Sequence, residues 1–78
     1  MKKAMVLIGK EVYIPEDIIV SVAEGNNSQA KKHIKEAKEK LCLLDYTGGK
    51  KTEAVILSKD GWVLASPLTP EEIISEEE

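Results

Sequence analysis

The sequence has no arginine, a single cysteine and a single histidine. One cysteine, Cys42, excludes an intramolecular disulfide and a cysteine-rich metal cluster. Because neither Cys42 nor His33 has a suitably spaced nucleophile or base beside it, we expect both side chains to be structural. The aspartates Asp17, Asp45 and Asp60 are scattered among turn-like segments and do not indicate a metal site. The sequence therefore predicts a protein that is not an enzyme and that uses no metal or cofactor.

Long apolar runs are also absent. No run approaches the roughly 20 residues needed to cross a bilayer, and no signal-peptide pattern is present. We therefore expect a cytoplasmic protein without a membrane partner, and no small-molecule substrate is evident. The 78 residues, of which 42% are hydrophobic, predict one globular domain over residues 1–78. A domain of this size is marginally stable alone, and oligomerisation is one usual remedy.

The charges are unevenly distributed along the chain. The net charge is −3, but five of the 14 acidic residues lie between residues 71 and 78. Residues 1–70 hold all 11 lysines against the remaining acids and are mildly basic, which is compatible with a polyanionic partner. The lysine ammonium group is a compact charge suited to phosphate. The planar arginine guanidinium group is the side chain that most often forms specific hydrogen bonds with guanine. Contact with nucleic acid would therefore depend on the phosphate backbone more than on the bases.

The spacing of apolar residues predicts an α+β domain. Strands are expected at residues 4–8, 12–14, 18–23, 41–46, 52–58 and 62–66, with helices at about 28–40 and 70–75. Strands grouped around one main helix favour a small, mostly antiparallel sheet, with a short C-terminal helix at the end of the chain. The long helix places Ala30, Ile34, Ala37 and Leu41 on one apolar face. Its other face mixes lysines with glutamates, which is typical of ordinary solvated surface.

Local signals mark the connections between these elements. Asn27 or Ser28 is suited to cap the first turn of the long helix. Residues 59–61 are expected to form a hairpin turn. Trp62, the one tryptophan, is expected at a half-buried rim and would be a natural anchor at an oligomer interface. Thr69 is suited to cap the last helix, with Pro70 at its first position and Glu72 as the reciprocal partner.

The stretch from Leu43 to Val55 is the strongest candidate for a functional site. Two apolar runs are joined by a polar loop that holds a glycine pair and the lysines Lys50 and Lys51. Adjacent glycines supply the positive φ angles of tight turns, so strands 41–46 and 52–58 are predicted to pair as a hairpin. The loop would then project two ammonium groups towards a charged partner. The alternative is that both lysines only keep the loop solvated.

The same stretch resembles the signature of the RemA family, the extracellular-matrix regulatory proteins of bacteria. In that family an isoleucine–aspartate pair leads into a glycine, a basic pair, a threonine and an apolar strand. The similarity extends over residues 5–74 in matching order and spacing. The segments that carry the similarity are Leu44-Asp45-Tyr46-Thr47-Gly48-Gly49-Lys50-Lys51-Thr52-Glu53-Ala54-Val55-Ile56, Ile8-Gly9, Ile18-Ile19-Val20-Ser21-Val22, Glu36-Ala37 and Ser66-Pro67-Leu68-Thr69-Pro70-Glu71.

The resemblance implies an oligomeric, ring-forming transcriptional regulator with a LytTR-like fold, active in biofilm matrix regulation. Lys50 and Lys51 would contact double-stranded DNA, and a ring would repeat these weak contacts along one duplex. The family tends to have an arginine near the position of Asp17, where a carboxylate would repel phosphate. A second hypothesis therefore stays open: the protein is an oligomeric structural or protein-interaction module of the same fold that does not bind DNA. It is motivated by Asp17, by the absence of arginine and by the acidic tail.

Overall fold

A computed structural model describes residues 5–74 of the chain. Its elements are β1 (Met5–Gly9), β2 (Val12–Pro15), a single 3-10 turn (Glu16–Ile18), β3 (Ile19–Glu24), α1 (Ser28–Glu39), β4 (Leu43–Asp45), β5 (Ala54–Ser58), β6 (Val63–Ser66) and α2 (Pro70–Ile74). The predicted element boundaries at residues 4 and 75 lie outside the described residues, as does the acidic segment that follows Ile74. None of the helices within residues 5–74 is both long and apolar enough to cross a membrane.

The strands form two separate sheets. β1 and β2 make an antiparallel hairpin, and the other four strands make a sheet in the order β3-β5-β6-β4. In this larger sheet β5 is antiparallel to both β3 and β6, while β4 runs parallel to β6. A register shift between Ile19 and Ser21 leaves Val20 as a bulge on β3, at the edge of the sheet. The predicted α+β fold is confirmed, with a mostly antiparallel sheet, one main helix and a short C-terminal helix.

The predicted hairpin between residues 41–46 and 52–58 is wrong. β6 lies between β4 and β5, and Leu43 of β4 pairs with Val63 of β6. The cause is competition for the two edges of β5. The short turn at residues 59–61 holds β6 against one edge, and β3 occupies the other. No edge of β5 remains for β4, so the lysine-bearing connection passes beyond the end of β6.

The end of α1 also differs from the prediction, because Leu41 neither extends the apolar helix face nor begins a strand. Its φ is 58°, and its side chain is 86% exposed. The N–H of Leu41 donates to the carbonyl of Lys38 at 3.3 Å, and the N–H of Cys42 donates to that of Ala37 at 2.9 Å. This pair of bonds is a Schellman motif, which ends the helix in a left-handed residue. The following strand, β4, is a short edge strand that is only partly buried.

The larger sheet lies between two apolar layers. On one face Val55 and Val63 pack against Ala30 and Ala37 of α1, with Cys42 as a partly buried neighbour. The other face carries the larger cluster, in which the β1–β2 hairpin and α2 cover the sheet. Its buried members are Ile8, Ile14, Ala54, Ile56, Leu64 and Ile73. Successive residues of β5 therefore point into opposite layers, as the period of two in a strand requires.

The local capping predictions are confirmed. The Asn27 side chain accepts from the N–H of Gln29 at 2.8 Å and of Ala30 at 3.2 Å, which caps α1. The Thr69 hydroxyl accepts from the N–H of Glu72 at 3.1 Å, and the Glu72 carboxylate accepts from the N–H of Thr69 at 2.8 Å. This reciprocal capping box fixes the start of α2.

Candidate functional site

The connection between β4 and β5, residues 46–53, is here called the lysine loop. Its first half is shaped by Asp45, whose carboxylate accepts from the N–H of Thr47 at 2.9 Å and from its hydroxyl at 2.7 Å. The Thr47 hydroxyl, with the Thr47 N–H, lowers the pKa of Asp45, and the charge of Lys38 adds to this. Asp45 therefore stays ionised and holds the first turn of the loop.

The turn itself depends on the two glycines. Gly48 and Gly49 have φ angles of 65° and 90°, which other residues adopt only at a cost, and a Cβ at either would meet open space. Their role is therefore conformational. The N–H of Lys50 donates to the carbonyl of Thr47 at 3.1 Å and closes the turn.

Both ends of the lysine loop are fastened to β6. The N–H of Tyr46 donates to the carbonyl of Ala65 at 3.0 Å, and the N–H of Glu53 donates to the carbonyl of Ser66 at 2.8 Å. The Ser66 side chain is fully buried, and its hydroxyl donates to the carbonyl of Ile8 in the hairpin layer. The loop is thus mounted on the most buried strand of the sheet.

Gly25, in the turn between β3 and α1, is a further residue of the site that sequence reasoning missed. Its N–H donates to the carbonyl of Glu53 at 2.9 Å, so this turn lies directly against the lysine loop. In the sequence, Gly25 indicated only a break between a strand and a helix. Because its contact lies almost 30 residues away along the chain, no local pattern could have identified it.

The structure places both candidate DNA-binding residues, Lys50 and Lys51, on the exposed part of the lysine loop. Asp17 lies elsewhere, in the 3-10 turn that precedes β3. The first residue of β3, Ile19, pairs with Ser58, whereas the last, Glu24, pairs with Ala54 at the end of the lysine loop. Six strand residues therefore separate the two regions, a span of roughly 16 Å. Within one chain Asp17 does not adjoin the two lysines.

Two apolar surfaces remain exposed in opposite layers. A groove of about 320 Å³ lies between α1 and the β5–β6 turn, and its lining includes Val20, Leu57 and Trp62. Trp62 is 40% exposed, which confirms its predicted half-buried position, and Val20 is 62% exposed. On the other side of the sheet, Tyr13 and Met5 are exposed on the hairpin. Strand alternation places both on the face that points away from the core.

Titratable groups do not cluster into a metal site within residues 5–74. No group of three or more histidine, cysteine, aspartate or glutamate side chains in this part of the chain is arranged to hold a metal ion. His33 and Cys42 both line the apolar groove. What the described residues offer chemically is therefore charge at the lysine loop and apolar area at the two surfaces.

Comparison with known proteins identifies one family. The family model described as RemA-like, extracellular matrix regulatory protein A-like, matches residues 5–76. Curated relatives from Bacillus cytotoxicus, Bacillus mycoides and Bacillus cereus each carry the name "Putative regulatory protein" and are 42% identical over 55 residues. The alignment covers 70% of this chain and 63% of each relative, which is less than two thirds of their length. These names point to regulation rather than to an enzyme.

Proposed function

Because the chain belongs to the RemA-like family of extracellular matrix regulatory proteins, we propose that it is a transcriptional regulator that binds double-stranded DNA as a homo-oligomer. Lys50 and Lys51 contact the phosphate backbone, and copies of the lysine loop repeat this contact along the duplex. The observation that carries the proposal is the mounting of these two exposed lysines on a loop that is fixed at both ends to β6.

A fixed loop favours binding because its shape is already set. The carboxylate of Asp45 and the carbonyls of Ala65 and Ser66 hold the backbone on both sides of the lysines. Association therefore does not have to order a flexible segment, which commonly costs part of the interaction free energy. Only the two lysine side chains lose freedom when they meet phosphate.

Oligomerisation supplies the number of contacts that one chain lacks. Two lysines neutralise few phosphates, and backbone contacts are weak individually and sensitive to salt. When copies are joined, later contacts form at a high effective concentration and add to the first. A closed ring is built from one surface of each copy meeting a different surface of the next. The apolar groove at Trp62 and the outer face of the hairpin at Tyr13 are two different surfaces of this kind.

A second candidate function is an oligomeric interaction module of the same fold that does not bind DNA. The absence of arginine and the net charge of −3 favour it. Asp17 gives it less support than the sequence indicated, because this residue lies at the far end of β3 from the lysine loop. Both functions share the oligomer, so DNA binding separates them.

The test is a fluorescence-anisotropy titration of AT-rich and mixed-sequence duplexes at about 50 and 200 mM salt. We expect the wild-type protein to bind, with affinity falling steeply as salt rises. The variant Lys50→Ala/Lys51→Ala should lose most binding at both salt concentrations. The matched control is Lys31→Ala/Lys32→Ala, which removes two adjacent exposed lysines from α1 and changes the net charge equally.

Light scattering on the same samples checks that each variant keeps the assembly of the wild type. Equal affinity of the loop variant and the wild type would refute the role of Lys50 and Lys51. An oligomer that retains no duplex even at low salt would instead favour the second candidate function.

A further inference from the structure

The outer face of the β1–β2 hairpin is apolar, although its side chains belong to neither core cluster. Leu7 pairs with Tyr13 and Met5 pairs with Pro15, which places these four side chains on one face. Their strand neighbours, such as Ile14, point the other way into the larger cluster. A sheet face that stays in water normally carries polar residues. This face, here called the hairpin patch, therefore has the composition of a surface that becomes covered.

The apolar groove between α1 and the β5–β6 turn is the second such surface. Val20, on the bulge of β3, and Trp62 both line the groove and remain exposed. Of the six large apolar side chains that are exposed within residues 5–74, four lie on these two surfaces: Met5 and Tyr13 on the hairpin patch, Val20 and Trp62 in the groove. Exposed apolar area is thus concentrated at two places, which is typical of interaction surfaces.

The two surfaces differ in shape, and this decides how each can be covered. The groove is concave, and its volume is about 320 Å³. An apolar cavity of roughly 150 Å³ already admits a benzene ring, so the groove can take one aromatic side chain and an apolar neighbour. The hairpin patch offers both, because Tyr13 is 59% exposed and has Leu7 directly opposite on the paired strand. Two concave grooves cannot fill each other, so the fit is between unlike surfaces.

The polar groups around the two surfaces also match. A tyrosine hydroxyl that becomes buried needs a hydrogen-bond partner, and the α1 wall of the groove carries His33 and Glu36. The same wall carries Lys40, whereas Glu16 directly follows the hairpin patch in the chain. Lys40 and Glu16 are both exposed, so opposite charges can meet at the rim when a hairpin patch enters the groove.

We propose that the hairpin patch of one copy fills the apolar groove of the next, with the Tyr13 ring inserted beside Trp62. The occupant is a second copy because every chain carries both surfaces, and they are unlike in shape and matched in chemistry. The inference rests on the homo-oligomer of the proposed function and names the two surfaces that meet in it. Since each copy gives one surface and receives the other, the contact repeats head to tail.

The experiment blocks one surface at a time by placing a charge on it. Val20→Glu blocks the groove and keeps the hairpin patch, whereas Tyr13→Glu blocks the patch and keeps the groove. Both side chains lie outside the core clusters and are mostly exposed in the single chain. Burying an unpaired carboxylate is strongly unfavourable, so each variant alone should be a monomer at concentrations where the wild type is an oligomer. Sedimentation velocity measures the assembly of each sample.

An equimolar mixture of the two variants decides whether the surfaces meet each other. The intact patch of the Val20→Glu chain can enter the intact groove of the Tyr13→Glu chain, and the two surfaces left over are both blocked. We therefore expect the mixture to form a dimer of one copy of each and to grow no further. A variant that still assembles alone, or a mixture that stays monomeric, would overturn the inference.

Ile74→Glu is the matched control. Ile74 is as exposed as Val20, at 62%, and lies on neither surface. This variant should keep the assembly of the wild type, and an equal loss of assembly in it would also overturn the inference. Circular dichroism checks folding. Where a charged variant does not fold, Trp62→Ala or Met5→Ala replaces it in the same mixing design.

The outcomes also separate this inference from the proposed function. If the wild type is an oligomer and the mixture stays monomeric, only the inference fails. If the wild type is a monomer at every concentration, the inference and the proposed oligomer fail together. DNA binding is measured apart from both, by the anisotropy titration of Lys50→Ala/Lys51→Ala, whose altered residues lie on neither surface.

Discussion

The backbone of Gly25 packs directly against that of Thr52. A Cβ on Gly25 would lie 2.0 Å from the carbonyl oxygen of Thr52, closer than any real contact of this kind. The neighbouring bond from the N–H of Gly25 to the carbonyl of Glu53 holds the two segments together. The β3–α1 turn and the lysine loop therefore pack backbone against backbone, with no room for a side chain between them.

This contact predicts that Gly25→Ala lowers the free energy of unfolding by about 2–3 kcal/mol, because two backbones must separate to admit the methyl group. Gly48→Ala is the matched control. Its Cβ meets open space, so it should cost only the strain of a positive φ, about 1 kcal/mol. Urea denaturation followed by circular dichroism measures both. If Gly25→Ala lowers the free energy of unfolding by no more than Gly48→Ala does, the close packing of Gly25 against Thr52 is contradicted.

Asp45→Ala should lower the free energy of unfolding at neutral pH by about 0.5–1 kcal/mol, since an exposed carboxylate loses two hydrogen bonds to Thr47. These bonds lower the pKa of Asp45 in the folded protein. The stabilisation is therefore complete above the unfolded pKa of about 3.9 and is lost as the pH falls through the folded pKa. Urea titrations at several pH values should show the difference between wild type and variant shrinking below about pH 4. A difference that widens in acid would refute this sign.

Leu41→Gly should stabilise the protein. Leu41 has a positive φ in the Schellman motif that ends α1, where glycine avoids a cost of about 1–2 kcal/mol. Part of that gain is offset by the greater freedom of glycine in the unfolded chain, so a net increase of about 0.5–1 kcal/mol is expected. Leu41→Ala is the control, because it removes the exposed side chain but keeps the Cβ. Thermal and urea unfolding should rank glycine above both alanine and leucine.

Trp62→Ala should weaken the proposed assembly by about tenfold or more, as expected when an aromatic anchor is lost. Trp62→Phe keeps an aromatic ring in the groove and should retain most of the association. Sedimentation velocity over a dilution series measures both variants. Because Trp62 is the single tryptophan, its emission in the wild type should also shift to longer wavelength as the protein is diluted. Emission that does not change while the oligomer dissociates would place the interface elsewhere.

The sequence predicted those features that depend on a few neighbouring residues. The capping box at Thr69, the cap at Asn27 and the turn at residues 59–61 each involve groups within four positions of one another. The pairing of β4 could not be predicted in this way, because it depends on which strands already occupy the edges of β5. Leu41 was misjudged because its apolar side chain fits the helical period, whereas its backbone closes the helix.

In the candidate site, too, features set by neighbouring residues could be predicted, whereas contacts between distant segments could not. The glycine and lysine pairs of the loop stand out in the sequence, and the structure exposes both lysines. The contact of Gly25 with the lysine loop, by contrast, joins segments 28 residues apart, so only the folded chain brings them together.

The bulge at Val20 bears on how copies of the chain can meet. A regular edge strand offers a row of backbone donors and acceptors that can template a further strand from another molecule. Here the bulge interrupts that row on β3, and the opposite edge strand, β4, has only three residues. Neither margin of the sheet is suited to indefinite extension into fibrils. Copies of the chain that associate would therefore do so through side-chain surfaces rather than by adding strands to the sheet.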